Sequence, residues 1–353
     1  MASSRKNHKS TRRNRIRWYA ILPALILVCV IGFVFYNHLD GNVSGDEIAN
    51  LEETERVDFV VDPSDNLETI AMRLEHEGLI KNNANFIAYV KAHCNTTKAR
   101  PGTYRLSAAM PLKRISMIVM RPKGAARVIT IPQGVTLSDI ATLFEKKEIC
   151  SKKEFWKTVR TGAFEGFPFL VSPGQDDTRL EGYLFPGTYE YEDNMDPESI
   201  MELMLDNFSA HFDKIPKRTN KLNDRETVIL ASMLEREARS DGEKPAIASV
   251  YVNRLKKKMP LQCDATIVYA MGAPGRSLNY ADYELKSPYN TYQHKGFPPS
   301  PICNPSMTSL VAAANPAKTN YYFYLFNTQT HNAHVFASTY EEHLKNRKIY
   351  GYD

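Results

Sequence analysis

The residues best suited to acid–base chemistry in this 353-residue chain lie in the segment ETVILASMLEREARS, residues 226–240. Leu230, Met233, Leu234 and position 237 follow the i, i+3, i+4, i+7 spacing of one helix face. Glu237 therefore lies on an apolar stripe, where a carboxyl group is either paired or has a raised pKa. A carboxyl group of raised pKa could act as a general acid, whereas a buried salt bridge or a helix-packing role is the structural alternative.

A second glutamate lies close by but on another face of the same helix. Glu235 falls on the side opposite to the apolar stripe, beside Arg236 and Arg239. We expect Glu235 to be solvated or ion-paired. In that position it would be poorly placed to act on a substrate together with Glu237.

Polar and aromatic residues are concentrated downstream of this helix, in segments 248–255, 261–266, 287–292 and 296–305. This density is typical of a sugar-binding cleft, because amides bond hydroxyl and acetamide groups and flat rings cover sugar faces. Taken singly, each of these residues is more often ordinary packing. The candidates for substrate binding are Asn253, Gln262, Asp264, Tyr289, Asn290, Tyr292 and Asn304.

Several common catalytic motifs are absent from the sequence. It has no GxGxxG, P-loop, GxSxG or HExxH pattern. The residues around the close pair His331 and His334 are unsuited as further zinc ligands. We therefore expect neither a metal nor a cofactor. The cysteines Cys94, Cys150, Cys263 and Cys303 show no CxxC spacing, although a Cys263–Cys303 disulfide is compatible with an oxidising compartment.

The first part of the chain predicts a membrane anchor. Residues 18–36 carry no charge for 19 positions, and a helix of this length spans roughly 28 Å. Basic residues precede it and acidic residues follow it, so the positive-inside rule places residues 1–17 in the cytoplasm and the rest outside. The sequence thus predicts a single-pass membrane protein. A cleaved signal peptide is the alternative, but its apolar core is usually shorter and ends in a small-x-small site.

The basic character of the chain follows from this topology. The formal net charge of the whole chain is +5. Seven basic residues lie before the span, and they account for more than this entire positive charge. We therefore predict no nucleic-acid partner. Residues 37–56 are acidic and poor in large apolar groups, as expected for a linker.

An internal repeat follows the linker. FVVDPSDNLETIAMRLEHEGLI at 59–80 aligns with VITIPQGVTLSDIATLFEKKEIC at 128–150, so that Leu67, Ile70 and Ala71 match Leu137, Ile140 and Ala141. Each copy reads as a strand followed by two helices, with a closing strand after the first copy, giving a small β-α-α-β module that could bind polysaccharide or pack on its neighbour. The predicted fold class is α+β, with modules over 57–122 and 127–160 and a mixed α+β catalytic core over about 180–345, within region 123–353.

The motifs LxREA, NRL, LQxDAT, YNTY and PPxPIxNP, read from Leu234 to Pro305, resemble the YceG-like endolytic murein transglycosylases, the MltG family. The resemblance runs from the span to about residue 345. It implies an inner-membrane anchor, a LysM-like module over 57–122, peptidoglycan strands as substrate and peptidoglycan synthases as partners. It also implies a single catalytic glutamate at the second glutamate of the ERE triplet, which is Glu237.

The sequence departs from the family pattern at two positions. Gly187 stands where the family usually has aspartate, and Cys263 stands where threonine is common. Neither departure is expected to touch Glu237.

The resemblance implies an endolytic lytic transglycosylase that cleaves the bond between N-acetylmuramic acid (MurNAc) and N-acetylglucosamine (GlcNAc) in nascent strands. It would leave 1,6-anhydro ends and limit strand elongation. Two alternatives stay open. One is a muramidase-type hydrolase that uses Asp264 or Glu235 as a second carboxylate. The other is a non-catalytic, membrane-anchored scaffold that binds glycan through the repeat modules.

Overall fold

The structure is a computed structural model that describes residues 57–122, 126–164, 166–167, 169–170, 176–193, 195–331 and 333–352. These ranges form a mixed α+β architecture with eleven α-helices and four two-stranded antiparallel sheets. The predicted tail, membrane span and linker, residues 1–56, lie outside them. No helix within the described ranges is both long and apolar enough to cross a bilayer.

The first unit has the predicted strand-helix-helix-strand order and adds a second strand pair. Its elements are β1 (Val57–Val61), α1 (Leu67–His76), α2 (Asn83–His93), β2 (Cys94–Ala99), β3 (Gly102–Leu106), α3 (Leu112–Val119) and β4 (Met120–Pro122). β1 pairs antiparallel with β3, and β2 pairs with β4, a pairing that the sequence analysis did not predict. The unit has its own apolar core, in which Phe59, Ile70, Leu74 and Phe86 are fully buried.

The second unit repeats the strand-helix-helix-strand order of the first. It consists of β5 (Ala126–Ile131), α4 (Leu137–Lys146), α5 (Lys152–Thr161) and β6 (Gly187–Glu192), with β5 and β6 paired antiparallel. The aligned positions Leu67, Ile70, Ala71, Leu137, Ile140 and Ala141 are all buried. Both first helices begin with a capping box, formed by Asn66 and by Thr136. The repeat in sequence is therefore a repeat in structure. The closing strand β6 lies within the range expected for the catalytic core.

The remaining chain surrounds one buried helix. Its elements are α6 (Pro197–Phe212), α7 (Asp224–Glu237), α8 (Lys244–Lys256), α9 (Asp264–Ala270), α10 (Met307–Ala314), β7 (Phe323–Phe326), β8 (His334–Ala337) and α11 (Tyr340–Ile349). In α7, every residue from 227 to 234 is buried. Because α8, α9 and α10 pack against it, α7 is enclosed on several sides and only its two ends reach a surface.

Helix α7 ends before the segment 226–240 does. The helix stops at Glu237, and Ala238 already has an extended backbone. The Glu243 carboxylate accepts hydrogen bonds from the backbone N–H groups of Arg239 and His334, and so fixes the chain that leaves the helix. Glu237 is consequently the last helical residue, with its side chain at an opening in the packing.

The disulfide considered between Cys263 and Cys303 is not formed. Both cysteines are free, buried thiols. The Cys303 thiol donates to the backbone oxygen of Ser232 at 3.3 Å, while the Cys263 thiol points to a different partner near the end of α7. Each sulfur is therefore held by a hydrogen bond within the core.

A buried carboxyl group, Glu181, connects the second unit to the helices around α7. It is 2% exposed, and both of its oxygens lie 3.2 Å from the backbone nitrogen of Leu137 at the start of α4. The hydroxyl of Tyr269 on α9 donates to it at 3.0 Å. Burial raises the pKa of Glu181 to about 8 despite these donors, so the group is mostly protonated at neutral pH.

We predict that Glu181→Gln removes a pH dependence of stability. Between pH 4.5, the ordinary pKa of this group, and about 8, only the unfolded state of the native chain ionises at Glu181, which favours unfolding as the pH rises. This contribution is at most about 1.4 kcal/mol per pH unit, and the variant lacks it. Urea unfolding at pH 5, 6, 7 and 8 should therefore show that the free energy of unfolding of the variant increases, relative to that of the native chain, as the pH rises. The exposed Glu341→Gln is the control, and parallel curves for native chain and Glu181→Gln would contradict the prediction.

Candidate active site

An open cleft of about 490 Å³ lies where α7 ends. The end of α7, the start of α9, the loop after α9 and β8 all contribute to its lining. The ionisable groups in that lining are Arg236, Glu237, Arg239, Asp264, Arg276 and His334. The predicted acid–base residue and one predicted substrate-binding residue therefore share one cleft.

Glu237 is held at the base of this cleft by three donors. Its Oε1 accepts from the Cys263 thiol at 3.2 Å and from the backbone N–H of Ala265 at 3.4 Å. Its Oε2 accepts from the Tyr324 hydroxyl at 2.9 Å. These contacts fix the orientation of the carboxyl group, a requirement for proton transfer in a defined direction.

The surroundings of Glu237 favour its neutral form. Burial of the carboxyl group raises its pKa, and the nearby charge of Asp264 adds to the effect. Hydrogen bonds from Cys263, Tyr324 and Ala265 act in the opposite direction without overcoming burial. The position at the carboxyl end of α7 also disfavours negative charge, because the helix dipole is negative there. Glu237 is therefore suited to carry a proton.

A pair of tyrosines supports the inner side of Glu237. The hydroxyls of Tyr251 and Tyr324 lie 2.6 Å apart. Because the single proton of Tyr324 is donated to Glu237, Tyr251 is the donor in this pair. Tyr251 is fully buried, so the chain of hydroxyls begins in the core and ends at the carboxyl group.

The expectation that Cys263 would not touch Glu237 is wrong. The residue before α9 presents its thiol directly to the carboxyl oxygen, and burial raises the pKa of this thiol well above its usual value. The group is therefore a neutral S–H donor. A sulfur donor forms a weaker hydrogen bond than the hydroxyl of a threonine at the same position would form.

Glu235 has a structural role on the opposite side of α7. Its Oε2 accepts from the hydroxyls of Ser306 and Ser309, both at 2.6 Å, and lies 3.3 Å from the Lys244 ammonium group. Burial opposes ionisation, but these hydrogen bonds and the ion pair outweigh it and hold the pKa of Glu235 below its usual value. The predicted ion pairing is confirmed, whereas the solvated alternative is wrong because the side chain is only 6% exposed.

One of the seven predicted substrate-binding residues lines the cleft, and a second one contacts it. Asp264 lines the cleft at the start of α9, and the Tyr292 hydroxyl donates to its Oδ1 at 2.6 Å. The Tyr283 hydroxyl lies 3.4 Å from both carboxylate oxygens. Asp264 is exposed, so its carboxylate is available to a substrate, and Tyr292 acts through it.

The side chains of the other five predicted residues are occupied in holding loops together. Asn253 donates to the backbone oxygens of Thr319 and Tyr321, Asn290 to those of Tyr283 and Leu285, and Asn304 to that of Val135. The Tyr289 hydroxyl bonds Ser300, and Gln262 accepts from the Arg254 guanidinium. None of these five residues is among those that line the cleft, and their side chains are already engaged with protein partners.

Sequence reasoning missed Tyr324 and did not single out Tyr251. Tyr251 lies within a segment quoted for its amides and tyrosines, but its burial cannot be read from that composition. Tyr324 lies 87 residues after Glu237 and belongs to none of the quoted motifs. Only the pairing of β7 with β8 and its packing on α8 bring it to the site.

Comparison with known proteins gives a consistent family. A family model described as the YceG-like family matches residues 59–349. The chain is 33% identical over 315 residues to an endolytic murein transglycosylase of Bacillus subtilis (strain 168), covering 83% of this chain and 84% of that protein. An endolytic murein transglycosylase of Streptococcus pneumoniae serotype 2 is 29% identical over 311 residues, covering 80% of this chain and 56% of that protein.

A solved structure is also similar. It is the crystal structure of a YceG-like protein from Listeria monocytogenes, with a TM-score of 0.54 and 30% sequence identity. The match covers 83% of this chain and 100% of that one. The two proteins therefore share an overall fold.

We predict that Tyr324→Phe raises the pKa of Glu237 further, because the lost hydroxyl donates to the carboxylate and favours its charged form. The measurement is a ¹³C NMR titration of glutamate side-chain carboxyl carbons, with the Glu237 signal assigned by its absence in Glu237→Gln. Tyr104→Phe, which removes a hydroxyl from the first unit, should leave this pKa unchanged. An unchanged or lower pKa in Tyr324→Phe would show that the hydroxyl does not stabilise the carboxylate.

Proposed function

The chain belongs to the YceG-like family, and from this membership and the site geometry we propose that it is an endolytic lytic transglycosylase of peptidoglycan. The observation that carries the proposal is Glu237: an oriented carboxyl group of raised pKa at the base of an open cleft. The enzyme is a carbon–oxygen lyase that acts on the glycan strand.

The reaction needs one group that first gives and then takes a proton. Glu237 protonates the glycosidic oxygen between MurNAc and GlcNAc while the C1–O bond breaks and positive charge develops on the muramyl ring. The resulting carboxylate accepts the proton of the muramyl C6 hydroxyl as that oxygen closes on C1. The products are a GlcNAc hydroxyl and a 1,6-anhydroMurNAc end, and Glu237 is protonated again without water entering the balance.

The donors around Glu237 fit this double role. Burial favours the acid at the start of the cycle, while the Tyr324 hydroxyl, the Cys263 thiol and the Ala265 N–H stabilise the carboxylate formed midway. A group that shifts too far toward either form would perform only one of the two steps. Positioned proton transfer supplies roughly 10²- to 10⁴-fold in rate, and orientation of the strand in the cleft must provide the rest.

Asp264 is the second carboxylate of the cleft, and its role separates this proposal from a hydrolase. We assign Asp264 to stabilise positive charge on the muramyl ring electrostatically, held in place by Tyr292 and Tyr283. A hydrolase would instead use such a group to activate water or to form a covalent intermediate. The two roles give different ends: an anhydro ring in the first case and a reducing sugar in the second.

We further propose that the site works at a membrane. The uncharged stretch 18–36 with its basic flank supports a single-pass anchor, with the N-terminus cytoplasmic and the cleft outside. The unit over 57–122 is proposed to be LysM-like and to bind glycan. A tether of about 20 residues reaches only some 25 Å, which favours nascent strands and contact with peptidoglycan synthases. Cleavage there would limit strand elongation.

We predict that full-length protein releases internal fragments ending in 1,6-anhydroMurNAc from purified peptidoglycan and that Glu237→Gln lowers this activity by about 10²-fold or more, since the amide cannot donate or accept the proton. Mass spectrometry of the products measures both the rate and the type of end. Glu284→Gln, an exposed glutamate in the loop after α9, is the matched control.

The same assay separates the alternatives. Asp264→Asn should slow the reaction and still give anhydro ends. Reducing ends from the native chain, lost in Asp264→Asn, would establish a hydrolase. An absence of cleavage by folded native protein, together with retained binding to the glycan, would support the scaffold.

We predict that the full chain remains in the membrane pellet after carbonate extraction at high pH and that a variant lacking residues 1–36 is released. An uncharged helix of this length is retained by the bilayer, whereas an electrostatically attached protein is not. Release of the full chain by carbonate would rule out the anchor.

A further inference from the structure

The cleft contains more positive charge than general acid catalysis at Glu237 requires. Arg236, Arg239 and Arg276 contribute guanidinium groups to its lining, and the imidazole ring of His334 lies there as well. Two of these four groups are already paired. Arg276 donates to both oxygens of Asp282 at 2.9 Å, and His334 lies 3.1 Å from the Glu243 carboxylate.

Arg236 and Arg239 are different, because each is fixed in place without being neutralised. Arg236 donates to the backbone oxygen of Gly134 at 3.3 Å, and the Arg239 guanidinium lies over the Phe326 ring at 4.7 Å. Among the residues that the structure describes, neither guanidinium has a carboxylate partner within 4.0 Å. Both residues are exposed, so most of their N–H donors face the cleft opening or solvent.

The two arginines flank Glu237 in sequence. The acidic groups of the cleft, Glu237 and Asp264, accept hydrogen bonds from other side chains. Neither carboxyl group forms an ion pair with the two arginines. Such a guanidinium pair suits a carboxylate, because the planar fork forms two parallel charge-assisted hydrogen bonds.

We propose that Arg236 and Arg239 form a binding site for a carboxylate carried by the muramyl sugar. This proposal rests on the proposed function. In a glycan of alternating MurNAc and GlcNAc, only the muramyl unit bears an acidic substituent, either its lactyl group or the peptide attached there. Binding that group beside Glu237 places a muramyl sugar at the site of bond cleavage and fixes which of the two alternating linkages is cut. The arginines are thus specificity-determining residues.

The test compares each acidic strand with its neutral counterpart. The substrates are peptide-bearing strands and peptide-free strands, each as the free acid and after conversion of the carboxylates to methylamides. For the full-length native chain, we expect kcat/KM to be about tenfold to a hundredfold higher on the acid form of at least one strand type, mainly through KM. The strand type that loses most on amidation identifies the lactyl group or the peptide as the source of the carboxylate.

In Arg236→Gln and Arg239→Gln, the ratio of kcat/KM between acid and amidated strands should fall toward one, and Arg239→Lys should recover part of it. Lys217→Gln, an exposed lysine in the loop between α6 and α7, controls for net charge. A native ratio near one on both strand types, or variants that keep the native ratio, would overturn the carboxylate site and leave the proposed function standing. Native protein that cleaves none of the four substrates would instead refute the proposed function.

Discussion

The ion pair and hydrogen bonds around Glu235 are the interaction on which the site depends. The Oε2 atom of Glu235 accepts hydrogen bonds from the side chains of Ser306, Ser309 and Lys244. The last turn of α7 is therefore attached to the start of both α10 and α8. A helix end normally frays because its last groups lack partners within the helix. Here the end cannot move without breaking a buried charge network, which costs several kcal/mol when one partner is lost. Glu237, two residues later, takes its fixed position from this attachment.

Two glutamates separated by one residue thus receive opposite environments. The helix turns by about 200° over two residues, so Glu235 and Glu237 face different neighbours. Glu235 meets an ammonium group and hydroxyls, and its pKa falls below the usual value. The carboxyl group of Glu237 is removed from water and accepts from three donors, and its pKa rises because burial outweighs these hydrogen bonds. This contrast lets one short segment supply both an anchoring charge and a proton carrier.

The local parts of this arrangement could be predicted from the sequence, since they depend on periodicity. The apolar stripe of α7 selected Glu237, and the repeat gave both strand-helix-helix units. The donors to Glu237 could not be found in this way, because Tyr324 and Cys263 reach it from distant parts of the chain. Amide-rich segments were equally misleading, because side chains such as Asn253 and Asn290 bond the backbone of neighbouring loops, which composition alone does not distinguish from sugar binding.

The second unit is part of the repeat and also supports the elements that carry the active site. The loop before α4 exchanges backbone hydrogen bonds of 2.8 Å with Asn304, and the same loop receives the Arg236 guanidinium through Gly134. Glu181 then joins the start of α4 to Tyr269 on α9, the helix whose first residues are Asp264 and Ala265. A displacement of the second unit would therefore shift the residue that supplies the second carboxylate and the N–H that holds Glu237. The first unit has a separate apolar core. The two copies of one repeat therefore differ in their contacts: the second supports the elements that carry the site, and the first packs around its own core.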